Sequence, residues 1–311
     1  MQIDHIARFT EALERLGASD GRILLAVSGG PDSLALLLLA QETMPDRIAA
    51  ATVDHGLRPE AADEAAFVAG ICNQRGVIHH ILTPDRPITR NVQSSARAVR
   101  YALLESAADQ ADCRSIATAH HQDDQLETLL MRLARGSGLD GLSGIRARNG
   151  RIIRPMLGFS KTELEQICAA ENVQPVRDPS NDDIDFDRVK MRQFLAATPH
   201  PFDPARAARS ASSLAEAGEA LDWVAAQLAD ERIERQNDGL VLNPAGLPRA
   251  LQRLLLLAAL RRKEPEIAPR GEAIERLLDD LETAKTVTIG NILCKGGEVW
   301  RFSSAPPRRT G

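Results

Sequence analysis

A six-residue loop, SGGPDS, carries the sharpest chemical signal in the 311-residue chain. Its two glycines allow the backbone to approach a phosphate closely. Pro31 has a fixed backbone angle that suits the first residue of a helix, and the free N–H groups at a helix start attract anions. The loop lacks the lysine of the GxxxxGK[ST] nucleotide-binding motif. These features predict an anion cradle made by Ser28, Gly29, Gly30, Pro31, Asp32 and Ser33.

A second group of polar residues lies in the segment ATAHHQDDQLET, residues 117–128. Asp124 and Glu127 are three residues apart in a predicted helix, so their side chains share one face. Together with Asp32, they could hold the ammonium of a lysine or a Mg²⁺ ion, for which Asp32 is the leading ligand. His120 ends a predicted strand over the same crevice. Its neighbour His121 is expected to point to the opposite face of the sheet.

Two other interpretations of this segment stay open from the residues alone. Its histidines and aspartates could form a metal site, although the further ligands that a catalytic zinc needs are not evident elsewhere. Alternatively, Asp123 could simply cap the start of the helix.

Arg97 and Arg100 form a third pair. They lie three residues apart on a predicted helix, and two guanidinium groups on one face suit a triphosphate or the charge that develops in adenylyl transfer. The ordinary alternative is a solvated helix face. Asp54 ends another predicted strand and is a further candidate for nucleotide binding.

The elements that must position these residues alternate in type. The run RILLAVS, residues 22–28, has the length and apolar content of a buried parallel strand. Further strands are predicted over residues 48–54, 77–82 and 115–120, and helices over 32–44, 60–75, 92–108 and 123–135. This alternation predicts an α/β fold with a doubly wound parallel sheet. Ligands bind at the carboxyl ends of the strands in such sheets, where Ser28, Asp54 and His120 lie.

The rest of the chain has a different organisation. A glycine-rich, basic connector covers residues 136–150, followed by a predicted strand over 152–157 and a helix over 161–171. Pro199, Pro201 and Pro204 indicate a linker. Helices are predicted over residues 205–236, 248–263 and 271–283, and a hairpin over 286–302. We therefore expect an α/β domain over residues 1–200 and a smaller, mainly helical domain over 205–311 that ends in a β-hairpin.

The net charge of −5 is unfavourable for a nucleic-acid binder, but the charge is unevenly distributed. Residues 132–161 contain seven basic side chains and a single acid, Asp140. Arg146 and Arg148 in this basic window suit RNA phosphates, and an ordinary solvated loop is the alternative. Residues 136–141 of the window spell GxGxxG. Because they follow a predicted helix and not a strand, they do not predict a dinucleotide site.

The four cysteines, Cys72, Cys113, Cys168 and Cys294, are scattered without a close pair. This spacing argues against a disulfide scaffold, a zinc ribbon or a dithiol redox motif and predicts buried thiols. No stretch approaches the roughly 20 apolar residues needed to cross a bilayer, so we expect a cytoplasmic protein.

The SGGPDS loop resembles the SGGxDS motif of the N-type ATP pyrophosphatases, which split ATP between its α- and β-phosphates. Further segments resemble the tRNA(Ile)-lysidine synthetase family, in order and spacing, over residues 20–200. They are VDHGLR at 53–58, ARAVRY at 96–101, ATAHHQDDQLET at 117–128, RGSGLDGLSG at 135–144 and RPML at 154–157.

The resemblance implies an enzyme that uses ATP and Mg²⁺ to adenylate the wobble cytidine in the CAU anticodon of an isoleucine tRNA, after which free L-lysine displaces AMP. It implies no obligatory protein partner, and it makes the C-terminal domain a candidate for tRNA binding. The catalytic candidates carried over are Asp32, Arg97, Arg100, His120, Asp124 and Glu127.

A family element at Asp178-Pro179-Ser180-Asn181 and RVKMR, residues 188–192, adds Arg188 and Arg192 as substrate-binding candidates. The family usually has Asn after the first of these arginines, where this chain has Val189. Two rival functions remain. A tRNA thiolase of the same fold would normally need reactive cysteines, and a catalytically dead nucleotide- or RNA-binding protein would not need the intact carboxylates.

Overall fold

The structure, a computed structural model, describes residues 3–56, 60–84, 92–176, 187–197, 199–269 and 271–306. The segment Asp178-Pro179-Ser180-Asn181 lies outside these residues, as do Leu57 and Arg58 of the VDHGLR segment. The chain divides into two compact units, Met1–Ala215 and Glu216–Gly311. No helix in the described ranges is long and apolar enough to cross a membrane.

Strands and helices alternate in the first unit. Its strands are β1 (Arg22–Ala26), β2 (Ile48–Val53), β3 (Ile78–Leu82), β4 (Cys113–Ala117), β5 (Arg148–Asn149) and β6 (Ile152–Ile153). Its helices are α1 (Ile3–Arg15), α2 (Pro31–Thr43), α3 (Glu60–Gln74), α4 (Val92–Gln110), α5 (Gln122–Ala134), α6 (Leu139–Leu142), α7 (Lys161–Ala170) and α8 (Asp187–Ala197), with a short 3₁₀ turn at Pro45–Arg47.

The six strands form one sheet in the order β3-β2-β1-β4-β6-β5, in which every neighbouring pair is parallel except β5 with β6. The predicted α/β class with a parallel sheet is therefore confirmed. Strand β6 is shorter than the predicted 152–157, because only Ile152 and Ile153 pair with β4.

Both faces of the sheet are covered, which is why β1 is apolar throughout. Ile23 and Leu25 belong to a core shared with α1, α2, α3 and α7. Leu24 and Ala26 belong to a separate core with α4. Alternate residues of a strand point to opposite faces, so each set faces a different helical layer. These layers leave the loops at the carboxyl ends of the strands to form a site.

The second unit contains three helices and a second sheet. The helices are α9 (Pro204–Arg232), in which the boundary between the units falls, α10 (Arg249–Lys263) and α11 (Gly271–Glu282). The strands are β7 (Ile233–Gln236), β8 (Gly239–Leu242), β9 (Thr286–Ile289), β10 (Ile292–Lys295) and β11 (Trp300–Ser304). They form an antiparallel sheet in the order β7-β8-β11-β10-β9.

Two details of the second unit differ from the sequence prediction. The helix expected to reach residue 236 ends at Arg232, since residues 233–236 pair with β8. The expected terminal hairpin is present, but as part of the five-stranded sheet. In β7 only Ile233 is buried, so the sequence IERQ lacks the alternating pattern by which a strand is recognised.

Candidate functional site

A cavity of about 970 Å³ opens where β1, β2 and β4 end. Many of the predicted site residues line it: Ser28, Gly30, Pro31, Asp32, Ser33, Arg97, Arg100, His120, Asp124 and Arg188. The other predicted residues do not line it: Gly29, Asp54, Glu127, Arg192, Arg146 and Arg148. The structure thus brings most of the sequence-predicted residues to one place.

The loop after β1 is held by its own side chains. Ser33 Oγ accepts a hydrogen bond from the Ser28 N–H at 3.0 Å and donates to the Gly30 carbonyl at 3.0 Å. Gly30 is the N-cap of α2, and Pro31 follows as its first residue. The start of α2 therefore faces the cavity with its free N–H groups, as an anion cradle requires.

The two glycines of this loop serve different purposes. Gly29 has φ +86°, a left-handed conformation, and a Cβ there would lie 3.4 Å from Val68 Cγ2. Its carbonyl accepts a hydrogen bond from the Val176 N–H at 3.0 Å. Gly30 has ordinary extended geometry, and a Cβ there would meet only Ser28 Oγ at 3.9 Å. Gly29 is thus required by the turn, whereas Gly30 lines the cavity and leaves room for a ligand.

His121 lies among three carboxylates. Its Nε2 is 3.5 Å from Asp32 Oδ2 and 3.5 Å from Asp124 Oδ2, and its Nδ1 is 3.5 Å from Asp123 Oδ2. The expectation that His121 points to the opposite face of the sheet is therefore wrong. Strand β4 ends at Ala117, so the alternation of a strand does not extend to this residue.

The neighbouring histidines have opposite pKa shifts. Burial opposes a charge on His121, but the carboxylates of Asp123 and Asp32, with the charge of Asp124, outweigh it and raise its pKa to about 10. Burial lowers the pKa of His120 to about 4 despite the opposing charge of Asp124. At neutral pH, His121 is therefore an imidazolium and His120 is neutral.

The acidic residues at the start of α5 also organise the helix. Asp124 Oδ2 accepts a hydrogen bond from the backbone N–H of His121, the N-cap residue, at 3.0 Å. Asp123 does not cap the helix, contrary to one interpretation of the sequence; it accepts from the Lys161 N–H at 3.0 Å. Asp124 thus combines a capping role with a place on the cavity wall.

Glu127 is buried, with 4% of its surface exposed, and contacts two arginines of α8. Arg188 Nε donates to Glu127 Oε2 at 3.0 Å, and Arg192 Nε donates to Oε1 at 2.9 Å. Arg188 also lies 3.4 Å from Asp124 Oδ1 and lines the cavity. Val189, which stands where the family usually has Asn, is buried. Both oxygens of Glu127 are engaged, so it holds Arg188 at the cavity wall.

Helix α4 contributes two positively charged residues, Arg97 and Arg100, to the cavity wall. Arg97 is exposed and lies over the Tyr101 ring, with its Cζ 5.1 Å from the ring centroid. Arg100 is half-buried, and that burial lowers its pKa from the ordinary arginine value. The sequence prediction missed His55 and Lys161, which also line the cavity. His55 follows a strand end, a signal that was available, whereas nothing near Lys161 in the sequence marks it.

Asp54, expected to bind nucleotide, has a local partner. Its Oδ1 accepts a hydrogen bond from the Gly56 N–H at 2.8 Å, which closes a tight turn after β2. His55, one residue further along, is the residue of this turn on the cavity wall.

The arginines of the basic window mostly have partners within the first unit. Arg146 pairs with Asp140, and Arg148 donates to the carbonyl oxygens of Leu16 and Gly150. The window also supplies bonds from Arg132 to Gly141, from Arg135 to Asp187 and from Arg151 to Glu105 and Asp109. Arg154 is buried. The window is therefore not one continuous basic surface, although Arg146 and Arg148 are exposed.

Two alternative chemistries find little support. A zinc site needs three or four protein ligands. Within the ranges that the structure describes, no group of three or more His, Cys, Asp or Glu is arranged to hold a metal ion. All four cysteines are free and buried, as predicted. Burial raises the pKa of Cys72 and Cys168 to about 11 and that of Cys294 to about 12, which makes them poor nucleophiles.

Comparisons with known proteins identify relatives of this chain. A family model described as a PP-loop domain matches residues 1–198. The tRNA(Ile)-lysidine synthase of Zymomonas mobilis is 42% identical over 313 residues, which cover 97% of this chain and 94% of that protein. The tRNA(Ile)-lysidine synthase of Novosphingobium aromaticivorans is 43% identical over 317 residues, which cover 98% and 95%.

A solved structure is similar in fold. The U34-tRNA thiolase from Methanococcus maripaludis has a TM-score of 0.57 and 18% identity and covers 68% of this chain and 78% of its own. At this identity the similarity concerns the fold alone.

We expect the two histidines to titrate at opposite ends of the pH scale in NMR spectra of histidine-labelled protein. His120 should stay neutral down to about pH 4, and His121 should stay protonated up to about pH 10. The ordinary histidine pKa is 6.5. Because the pKa of His120 is lower in the folded protein than in the unfolded chain, His120 should lower the free energy of unfolding as the pH falls from 6.5 to 4. Because the pKa of His121 is higher in the folded protein, His121 stabilises the fold below pH 6.5, and this stabilisation is lost as the pH rises through 10. His120→Asn and His121→Asn would assign the signals. Titration of both near pH 6.5 would contradict the arrangement.

Proposed function

We propose a reaction for this chain from one premise: it belongs to the tRNA(Ile)-lysidine synthase family. It joins L-lysine to the wobble cytidine in the CAU anticodon of an isoleucine tRNA and converts ATP to AMP and pyrophosphate. One observation of the structure supports this most directly. The same cavity wall carries arginines from α4, suited to a triphosphate, and carboxylates from the β1 loop and α5, suited to an ammonium.

The reaction requires two steps at one site. The 2-carbonyl oxygen of the cytidine attacks the α-phosphate of ATP, and pyrophosphate leaves. The ε-amino nitrogen of lysine then attacks C2, and AMP leaves with the oxygen. The start of α2, with Gly30 and Ser33, suits the phosphates, and Arg97 and Arg100 suit the charge on the departing pyrophosphate.

Asp32 fits a Mg²⁺ ion bound with the nucleotide. Its Oδ1 is buried and has no hydrogen-bond partner among the described residues, while Oδ2 faces His121. Mg²⁺ in nucleotide sites is usually held by one or two carboxylates together with phosphate oxygens, so no larger cluster is needed. Such an ion would neutralise phosphate charge.

Asp124 and Arg188 suit the two charged ends of an amino acid. Both line the cavity, and they lie 3.4 Å apart. A carboxylate can accept from an ammonium, and a guanidinium can donate to the α-carboxylate of free lysine. Glu127 and Arg192 hold Arg188 and α8 in place. The proposed role of Glu127 is therefore positioning, in place of the direct contact with lysine expected from the sequence.

The attacking amine must first lose a proton to a base. The protonation states of His120 and His121 limit which group can accept that proton. His121 is already protonated at neutral pH and cannot accept another proton. His120 is neutral and lines the cavity. His120 and Asp124 are therefore the two candidate bases, and the pKa of about 4 makes His120 a weak one.

Arg146 and Arg148 remain candidates for tRNA phosphates, because both are exposed. Their internal partners would have to be exchanged for phosphates, so each contributes less than an unpaired cation would.

The products test the proposed function. With wild-type protein, ATP, L-lysine and an unmodified isoleucine tRNA with a CAU anticodon, AMP and pyrophosphate should form, and the tRNA should gain the mass of lysine less water at the wobble cytidine. Omission of lysine should prevent the mass gain. Formation of ADP, or gain of sulfur by the tRNA, would refute the assignment and leave the fold unaffected.

Single substitutions at the two loop glycines should separate folding from ATP binding. Gly29→Ala should lower the melting temperature, because alanine is strained at φ +86°. Gly30→Ala should leave the melting temperature near that of the wild type but weaken ATP binding, measured by titration calorimetry. If Gly30→Ala binds ATP normally, the phosphates do not lie over this residue.

Asp124→Asn and Glu127→Gln should differ in their effects on lysine binding and on stability. Asp124→Asn should raise the KM for lysine about 10- to 100-fold with little change in the affinity for ATP, because a charged hydrogen bond is worth about 1.5–3 kcal/mol. Glu127→Gln, in contrast, should lower the free energy of unfolding by roughly 1–3 kcal/mol, because two arginines lose the buried negative charge with which they pair. Equal losses of lysine and ATP binding in Asp124→Asn would exclude it as the ammonium ligand.

A further inference from the structure

The target of the proposed reaction is a nucleobase, and the chain has few side chains on which a base can stack. It contains seven phenylalanines, two tryptophans and one tyrosine. Among the described residues that line the cavity, Tyr101 is the only one of these three types. Other aromatic side chains are buried in the two cores, as Phe9, Phe159 and Trp300 are. Tyr101 is therefore the aromatic group that the cavity wall offers to a base.

The packing of α4 against the sheet does not explain this tyrosine. The residues of α4 that are buried in the core with β1 and β4 are Leu104, Ala107 and Ala108. Tyr101 lies about one turn before them and is not a member of that core. It is only partly buried, and it lines the cavity. Its ring is therefore free to serve a ligand without a change in the core.

Arg97 fixes the orientation of the tyrosine ring. It lies one helical turn before Tyr101, and residues four apart in a helix share one face. Its Cζ is 5.1 Å from the ring centroid, and its Nη2 donates to the Tyr101 hydroxyl at 3.4 Å. Proteins that bind unpaired RNA bases stack them on aromatic rings and on guanidinium planes. The two side chains supply one of each on the cavity wall.

Tyr101 lies on the side of the cavity where β4 and β6 end. Burial lowers the pKa of Arg154, and its hydrogen bond with Tyr101 opposes that shift. Arg154 follows Ile153, the last residue of β6. The Ile153 carbonyl accepts from the Thr118 N–H at 3.0 Å, and Thr118 Oγ1 lies 3.0 Å from His120 Nδ1. These contacts connect Tyr101 to His120, one of the two candidate bases.

This position suits the target cytosine better than the adenine of ATP. The lysine nitrogen must lose its proton where it attacks C2, so the cytosine ring must lie near the candidate bases, His120 and Asp124. Both line the cavity on the side of Tyr101. The side where β2 ends is lined by residues 51–53 and His55, and it leaves the adenine a separate place.

We propose that the Tyr101 ring, oriented by Arg97, is the surface on which the target cytosine stacks. The proposal rests on the proposed function, because that reaction is what brings a cytosine into this cavity. Arg97 keeps N–H groups for a phosphate, since a guanidinium has five of them and one is engaged with Tyr101. Stacking on the ring offsets the free energy that is lost when the base leaves the stack of the anticodon loop.

A double-mutant cycle on the full chain tests this contact. In the protein, Tyr101→Leu removes the ring and keeps an apolar side chain. In the RNA, an isoleucine tRNA with an abasic wobble position replaces the tRNA with the CAU anticodon. All four affinities are measured by fluorescence anisotropy in the presence of α,β-methylene-ATP, which fills the nucleotide site and cannot release pyrophosphate.

Loss of the base should weaken RNA binding to the wild type more than RNA binding to Tyr101→Leu. The two losses should differ by a factor of about 5 to 150, because stacking of one base on an aromatic side chain changes affinity by that factor. Tyr101→Phe is the matched control, since it keeps the ring and should keep most of this factor. Equal losses in the wild type and in Tyr101→Leu, or disappearance of the factor in Tyr101→Phe, would overturn the proposal.

Two controls protect this interpretation. Melting temperatures check that the variants are folded, and Tyr101→Met, which also lacks a ring, takes the place of Tyr101→Leu if that variant unfolds. The affinity for α,β-methylene-ATP alone, measured by calorimetry, should change little in Tyr101→Leu. A large loss of that affinity, with no difference in the cycle, would assign the ring to the adenine and refute the proposal.

The cycle also distinguishes failure of the stacking site from failure of the proposed function, because it measures binding without turnover. If the wild type forms no lysidine but the two losses differ as expected, the proposed function fails and the stacking site stands. If lysidine forms and the two losses are equal, only the stacking site is refuted.

Discussion

The site depends on the neutralisation of carboxylates that are gathered in one partly buried place. Such a cluster is stable only if cations compensate it, because water no longer solvates the charges. Three cations contact these four carboxylates. The carboxylates belong to Asp32, Asp123, Asp124 and Glu127, and the cations to His121, Arg188 and Arg192.

This balance links segments that are distant in the chain. Asp32 follows β1, His121 starts α5, and Arg188 belongs to α8. Helix α8 has one residue that is buried, Val189. Its position against α5 therefore relies largely on the two arginines that contact Glu127. The contacts that hold α8 in place are the same ones that bring a guanidinium to the cavity wall, so stability and substrate binding share residues.

The cavity then offers opposite charges to two different substrates. Arginines of α4 and the start of α2 suit a polyanion, while Asp124 suits an amine. The two adjacent histidines also differ in charge. Neighbouring carboxylates keep His121 protonated, whereas burial keeps His120 neutral. An enzyme that activates one group with ATP and attacks it with an amine needs both environments close together, because the amine must lose its proton where the activated intermediate forms.

The sequence by itself determined the elements that depend on local patterns. The apolar run in β1, the strand and helix alternation and the SGGPDS turn follow from hydrophobic periodicity and backbone geometry, which neighbouring residues set. Only the tertiary structure decided the partners of charged side chains. It placed His121 beside Asp32, engaged Glu127 with arginines some sixty residues away, and divided the basic window among separate partners. It also paired the polar strand β7 with β8. Sequence patterns cannot show such pairs, because charge interactions depend on distance in space and burial, not on separation along the chain.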